Sequence, residues 1–113
     1  MNRIFGLTIY TLNNSNLEGQ WMNNRVTLFQ DEICTRTNNS GATEFVGEYK
    51  SVWTDSTGQI TARLVIRLNE NDQLVLNWDR LQNAISGAIS TTYTGFGTIR
   101  DNQLICSYVM VNN

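Results

Sequence analysis

Hydrophobic and polar residues alternate along most of this chain with a period of two. In the clearest case, apolar residues at every second position are separated mainly by threonine and arginine: Ile60, Ala62, Leu64, Ile66 and Leu68. The same spacing recurs within 45–53, 74–78 and 104–110. A period of two is typical of a strand that buries one face, whereas a helix would repeat at 3.6 residues.

Clusters of Asn, Asp, Ser and Gly separate these rows, and such residues favour tight turns. The pattern predicts eight strands, at about 3–11, 17–23, 25–36, 43–54, 59–68, 73–79, 88–100 and 103–111. The segment from Arg80 to Gly87 lacks the pattern, and we expect a loop or one helical turn there. Short connections favour antiparallel pairing of consecutive strands. We therefore expect a single all-β domain over residues 1–113, an eight-stranded antiparallel up-and-down β-barrel, with a flat sandwich as the alternative.

The composition excludes several classes of function. The 113 residues include no histidine, so no imidazole base, His-activated nucleophile or His metal site is available. A net charge of -2, a single lysine and a pI near 4.9 argue against a nucleic-acid-binding surface. No apolar run approaches the ~20 residues that cross a bilayer. We expect Cys34 and Cys106, which fall in separate strands, to be free buried thiols rather than a disulfide.

The carboxylates give no candidate acid–base pair. We expect some of them in turns and others on the solvent face of a strand: Asp31, Glu32, Glu70 and Asp72 in the first group, Glu44 and Glu48 in the second. No carboxylate is expected on an interior face. With neither an acid–base pair nor an activated nucleophile, the sequence favours a non-enzymatic protein.

The predicted interior combines aromatic rings with small polar groups. The aromatic residues are Trp21, Tyr49, Trp53, Trp78, Tyr93 and Tyr108, and the polar ones are Asn23, Ser51, Ser86 and Thr91. Apolar walls with a few fixed donors and acceptors are typical of a small-molecule pocket. A self-filled aromatic core with polar groups at its rim is the alternative interpretation.

Several short motifs on these strands resemble the avidin and streptavidin family. In chain order they are Gly19-Gln20-Trp21-Met22-Asn23, Phe45-Val46-Gly47-Glu48-Tyr49-Lys50-Ser51, Leu76-Asn77-Trp78, Asn83-Ala84-Ile85-Ser86, Thr91-Thr92-Tyr93-Thr94-Gly95 and Cys106-Ser107-Tyr108-Val109-Met110. The family's last strand resembles Gly6-Leu7-Thr8-Ile9-Tyr10-Thr11, at the opposite end of this chain. The resemblance therefore implies a circularly permuted barrel, an arrangement that keeps the same strand neighbours.

This resemblance implies biotin, or a biotin-like molecule, as a bound ligand rather than a cofactor. It would place Asn23 and Tyr49 at the ureido oxygen, Thr8 and Ser51 at the ureido N–H groups, Trp78, Tyr93 and Tyr108 in the apolar walls, Thr91 near the sulfur and Ser86 near the carboxylate. It also implies a dimer or tetramer of identical chains. No signal peptide is recognised at residues 3–10. We expect secretion if the chain follows the family, and a cytoplasmic location if the chain is full-length.

The chain departs from the family at several of these positions. Thr8 stands where the family has Asn or Asp, Tyr93 and Tyr108 replace tryptophans, and the loop after Trp21 is short and lacks the expected serine. We therefore expect weaker biotin binding than in the family, or another small ligand. The alternatives are a lipocalin-like carrier of an apolar ligand, since Gly19-x-Trp21 also resembles the lipocalin opening motif, and an interaction or inhibitor module with a filled barrel.

Overall fold

The computed structural model describes residues 3–38 and 44–111. Within them the chain forms nine β-strands: β1 (Phe5–Asn13), β2 (Asn16–Asn23), β3 (Gln30–Arg36), β4 (Gly47–Asp55), β5 (Gly58–Leu68), β6 (Leu74–Asn83), β7 (Gly87–Ala88), β8 (Thr92–Arg100) and β9 (Gln103–Val111). Eight of these strands match the eight predicted from the alternation. Among the described residues no helix is long and apolar enough to cross a membrane.

The sheet closes into a barrel. Its strands follow the order β5-β4-β3-β2-β1-β9-β8-β6, and β5 also pairs with β6 to complete the ring. Every pairing is antiparallel. The two-residue strand β7 pairs only with β6 and lies outside the ring. The predicted eight-stranded up-and-down barrel is therefore confirmed, and the flat sandwich is wrong.

Two tight hairpins explain why neighbouring strands pair in sequence order. Asn14 and Ser15, between β1 and β2, have φ values of 52° and 74°. Asp101 and Asn102, between β8 and β9, have φ values of 53° and 65°. A two-residue turn with positive φ at both positions matches the twist of the flanking strands, and Asn and Asp tolerate that conformation. The turn signals in the sequence therefore predict these two connections correctly.

The loop or helical turn expected at Arg80 to Gly87 is confirmed for residues 84–86, which form a turn, and is wrong for residues 80–83. Strand β6 runs on to Asn83, and its register against β5 shifts between Thr61 and Arg63. Arg80 has φ 53°, the left-handed conformation of a β-bulge. The bulge adds one residue to β6, so the alternation loses its phase although the strand continues.

Three strands begin later than predicted, at Gln30, Gly47 and Thr92. Between β2 and β3 the backbone turns, with Val26 N–H donating to the Asn23 carbonyl at 3.3 Å. Before β4, the carbonyls of Glu44 and Val46 accept hydrogen bonds from the Arg36 guanidinium instead of from a strand. Residue 43, where the fourth strand was expected to begin, lies outside the described residues.

The barrel interior combines an aliphatic part with aromatic and polar groups. The aliphatic part is supplied mainly by β5, β6 and β9, through buried Ile60, Leu64, Ile66, Leu76 and Leu104. Tyr10 is fully buried and its ring lies against Gly19. A Cβ at Gly19 would come within 2.6 Å of Cε1 of Tyr10, so glycine there lets the ring approach the backbone of β2.

Candidate functional site

A cavity of about 700 Å³ opens at one end of the barrel. It lies at the end where β1 begins, β2 and β4 end, and β8 begins. The lining residues come from the strands and from two connecting loops: Ile4, Thr8, Trp21, Asn23, Arg25, Val26, Gln30, Glu32, Trp53, Thr54, Asp55, Ser56, Thr57, Trp78, Tyr93 and Tyr108. We call this space the mouth cavity. Its volume suits a small organic ligand.

Five of the nine predicted site residues line the mouth cavity, namely Thr8, Asn23, Trp78, Tyr93 and Tyr108. The alternation along their strands points these side chains to the same interior. The Tyr108 ring centroid lies 5.7 Å from that of Trp78, tilted by 58°, and 5.7 Å from that of Tyr93, nearly edge-on at 88°. The Tyr108 hydroxyl donates to the Met22 carbonyl at 3.2 Å, which fixes the ring in this cluster.

Two of these polar groups already have partners. The Thr8 hydroxyl donates to the Gln20 carbonyl at 3.2 Å. The side-chain oxygen of Asn23 accepts from the Arg25 N–H at 2.8 Å and so holds the turn after β2. A ligand would therefore meet the Thr8 hydroxyl oxygen as an acceptor, whereas the Asn23 side chain also bonds to the Tyr108 hydroxyl.

The other four predicted site residues lie away from the cavity lining. Tyr49 is fully buried and donates to the Phe45 carbonyl at 2.7 Å. Ser51 is also fully buried and donates to Glu32. Ser86 is exposed in the turn after β6, and Thr91 is half-buried just before β8. Their predicted contacts with a ligand stay predictions.

The residue that the sequence reasoning missed is Glu32. The sequence predicts Glu32 in a turn, and it predicts no carboxylate inside the barrel. Both predictions are wrong. Glu32 lies in β3 with a side chain that is only 3 % exposed, whereas its neighbour Ile33 points outward and is 54 % exposed. The inward face of β3 is set by pairing with β4, where Cys34 lies opposite Ser51. This pairing is the signal that could have located Glu32. Ser51 is predicted on an interior face, so Cys34 opposite it, and Glu32 two residues before Cys34, also face inward.

One oxygen of Glu32 gathers four donors. Oε2 accepts from the Tyr10 hydroxyl at 2.8 Å, the Trp78 indole Nε1 at 3.2 Å, the Cys34 thiol at 3.5 Å and the Ser51 hydroxyl. The donors come from β1, β6, β3 and β4, so the carboxylate ties opposite parts of the ring together. In the described part of the chain no hydrogen bond is made to Oε1, which leaves that oxygen available beside the cavity.

Burial dominates the electrostatics of this cluster. It raises the pKa of Glu32 above its ordinary value, and the hydrogen bonds from Ser51, Tyr10 and Trp78 act in the opposite direction. Burial also raises the pKa of the Tyr10 hydroxyl and of the Cys34 thiol, and the Glu32 charge raises both further. Tyr10 and Cys34 therefore remain protonated donors throughout the neutral range.

A second buried polar atom adjoins the cavity. Trp21 lines it and is 7 % exposed, and its indole Nε1 is buried without a hydrogen-bond partner among the described residues. A buried donor left without an acceptor costs on the order of 1–3 kcal/mol. The mouth cavity therefore adjoins one acceptor, Oε1 of Glu32, and one donor, Nε1 of Trp21, that other described residues do not use.

The opposite end of the barrel holds Arg36. Its guanidinium donates to the carbonyls of Ser15, Val46 and Glu44, and its Cζ lies 4.7 Å from the centroid of the Tyr49 ring. A shallower depression of about 690 Å³ lies at this end, between the β5–β6 turn and the end of β8. Arg36 is thus bonded to protein carbonyls and closes the end that Tyr49 occupies.

The cysteines are free and buried, which confirms the prediction for Cys34 and Cys106. Burial raises the pKa of Cys106 to about 12, so both thiols behave as inert core groups at neutral pH. Within residues 3–38 and 44–111, no three or more Cys, Asp or Glu side chains come together in a group that could hold a metal ion.

Comparisons of the chain with known protein families, with curated proteins and with solved structures found no match.

Proposed function

We propose that this protein is a non-catalytic binding protein for a small molecule, which it holds in the mouth cavity. The single observation that carries the proposal is the composition of that cavity: five aromatic side chains line it with the buried Glu32, and one of them, Trp21, has an indole N–H without a hydrogen-bond partner among the described residues. A closed barrel holds such groups on paired strands, so little ordering is needed when a ligand enters.

The cavity favours ligand binding over a filled barrel. Trp78 and Tyr108 do pack against each other, yet about 700 Å³ remains beside them. The polar groups also distinguish this cavity from that of a carrier for a purely apolar molecule, because an apolar ligand would offer no donor to Oε1 of Glu32 and no acceptor to Nε1 of Trp21.

The first ligand to test is biotin, which the sequence resemblance implies. Its ureido group carries N–H donors and a carbonyl acceptor, and Glu32 and Trp21 offer the complementary groups. This pairing would differ from the one expected from the sequence, in which Tyr49 and Ser51 took part. The proposal that the ligand is biotin therefore rests on the motifs, whereas the proposal of a small ligand rests on the cavity.

Isothermal titration and thermal unfolding with and without biotin test this proposal. A ligand that binds only the folded state raises its stability by RT ln(1 + [L]/Kd), which is about 2.7 kcal/mol at a hundredfold excess over Kd. We expect a saturable heat and a rise in Tm. Absence of both would exclude biotin, and the ligand would then be sought among other small molecules.

We further propose that the chain forms a homodimer or homotetramer. Outward-facing apolar side chains lie on three neighbouring strands: Phe5 and Leu7 on β1, Ile105 on β9 and Phe96 on β8. Exposed apolar side chains on neighbouring strands of one outer face favour association. Light scattering should give a multiple of the 12.8 kDa chain mass, and a value of one chain mass would exclude the proposal.

A further inference from the structure

Glu32 is a buried carboxylate, and its hydrogen-bond partners among the described residues include no cationic group. Arg63 forms an ion pair with Asp79 on the outer side of β5 and β6, away from Glu32. Arg36, the buried arginine, donates to carbonyl groups at the other end of the barrel. The four groups bonded to Oε2 of Glu32 are all neutral donors, so they solvate the carboxylate but do not balance its charge.

The mouth cavity as a whole is biased towards a cation. Three charged side chains line it, namely Arg25, Glu32 and Asp55. Arg25 and Asp55 carry opposite charges, and Asp55 already accepts hydrogen bonds from the N–H and hydroxyl of Thr57. The sum of the lining charges therefore equals the single negative charge of an ionised Glu32.

The walls also suit a cation. Five aromatic residues line the cavity: Trp21, Trp53, Trp78, Tyr93 and Tyr108. The face of an aromatic ring attracts an organic cation, by on the order of 0.5–1 kcal/mol when exposed and about 2 kcal/mol when desolvated. A neutral aliphatic ligand would gain from burial in such walls but would leave the negative charge of Glu32 uncompensated.

We propose that the ligand of the mouth cavity is an organic ammonium compound whose protonated nitrogen donates a hydrogen bond to Oε1 of Glu32. This inference rests on the proposed function, since it names the chemical class of the ligand in the same cavity. The ligand also bears a hydrogen-bond acceptor, such as a hydroxyl or ether oxygen, for the indole Nε1 of Trp21. Such a molecule satisfies both of the buried groups that the described residues leave available.

Matched amines and alcohols test the charge directly. Tyramine and tryptamine would be titrated into the protein beside their neutral counterparts, in which a hydroxyl replaces the amino group (tyrosol and tryptophol), with biotin as a third arm. A hydrogen bond between charged partners is markedly stronger than a neutral one. We expect at least one amine to bind roughly tenfold or more tightly than its alcohol, a difference of about 1.4 kcal/mol. Equal affinities, or tighter binding of the alcohols, would overturn the proposal.

A pair of variants locates the charge. Glu32→Gln removes the interior carboxylate, and Asp31→Asn makes the same change on the adjacent, outward-facing residue. The preference for the amine should disappear in the first variant and persist in the second; persistence in Glu32→Gln would contradict the proposal. The wild-type comparison decides the matter even if Glu32→Gln does not fold. Binding of biotin or an alcohol without any preference for the amine would contradict the cationic ligand but not the proposed function. No binding by any probe would contradict both.

Discussion

The indole Nε1 of Trp78 donates a 3.2 Å hydrogen bond to Oε2 of Glu32 across the barrel interior. The two residues lie on β6 and β3, which are separated in the ring by β4 and β5. This bond joins a wall residue predicted from the sequence to a carboxylate that the sequence reasoning had placed in a turn. Trp78 therefore belongs both to the polar cluster around Glu32 and to the aromatic wall of the mouth cavity.

Stability should fall as pH rises through the pKa of Glu32. Burial holds that pKa above its ordinary value of 4.5, so the folded state keeps a proton that the unfolded chain has already lost. The contribution of this proton is complete below pH 4.5 and disappears above the folded-state pKa. Between the two values, the free energy of unfolding should fall by up to about 1.4 kcal/mol per pH unit.

Denaturant unfolding of wild type and Glu32→Gln from about pH 4 to about pH 8 checks this sign. The stability of the variant relative to wild type should rise with pH, because the amide does not titrate. The Tyr10 and Cys34 groups bonded to Glu32 stay protonated over this range, and Arg25 and Asp55 line the same cavity in both proteins. A constant difference across the range would show that Glu32 does not titrate on unfolding as proposed.

Loss of the Ser51 hydroxyl should destabilise the barrel. Ser51→Ala removes one donor from Oε2 of Glu32 in a fully buried position. We expect a loss of about 1–3 kcal/mol in the free energy of unfolding, measured in urea. Ser107→Ala, on the exposed face of β9, is the matched control and should change stability by less than about 0.5 kcal/mol. Equal effects at the two positions would argue against a bond with Glu32.

An added methyl group at Gly19 should disrupt the Glu32 cluster. The new Cβ would lie 2.6 Å from Cε1 of Tyr10, whose ring is fully buried. Overpacking of this kind costs about 1–3 kcal/mol, and displacement of Tyr10 would also remove its bond to Glu32. Thermal unfolding of Gly19→Ala should show a clear fall in Tm. Gln20→Ala, the outward neighbour, should leave it nearly unchanged, and a similar fall there would contradict this interpretation.

Tyr93 should contribute to binding rather than to folding. Its ring is half-buried at the cavity and edge-on to Tyr108. Tyr93→Leu removes the aromatic face and should weaken ligand binding by roughly tenfold. Phe96→Leu makes a comparable change on the outer face of the same strand, where Phe96 is exposed, and should leave affinity unchanged. Titration of both variants with the tightest wild-type ligand compares them, and equal losses would remove Tyr93 from the site.

Tyr49 belongs to the ligand site expected from the sequence but does not line the mouth cavity. Its hydroxyl donates to the Phe45 carbonyl and its ring lies against Arg36, away from the mouth cavity. Tyr49→Phe should therefore cost about 1 kcal/mol in stability and leave affinity unchanged. A loss of affinity for biotin, measured by titration, would instead support the arrangement implied by the family resemblance.

The barrel could be predicted because its determinants are local. Alternation within each strand and paired turn residues such as Asp101 and Asn102 are readable from short segments, and together they imply antiparallel neighbours. The bulge at Arg80 was missed because it depends on a left-handed backbone conformation at a residue that carries no turn signal. The strand that this bulge interrupts was therefore predicted to end too early.

The aromatic walls of the mouth cavity could be predicted for the same local reason, whereas the buried carboxylate of Glu32 could not. Trp78, Tyr93 and Tyr108 follow the period-two alternation of β6, β8 and β9. In β3 the local pattern favours Ile33 as the inward residue, yet pairing with β2 and β4 turns Glu32 inward. The registers that place Cys34 opposite Leu17 on β2 and opposite Ser51 on β4 decide between the two phases, and these registers are properties of the closed sheet.

The three tryptophans provide the most direct test of the central claim, which is that the mouth cavity binds a small molecule. All three tryptophans of the chain line that cavity: Trp21, Trp53 and Trp78. Their indole N–H signals in a two-dimensional NMR spectrum can be followed during titration with tyramine, tryptamine and biotin. We predict saturable shifts of the indole signals; with tyramine or biotin, which carry an acceptor oxygen, the largest shift should be at Trp21, whose N–H has no acceptor among the described residues. Indole signals that stay in place while the titrated ligand binds, with shifts confined to the outer face of the barrel, would contradict the account.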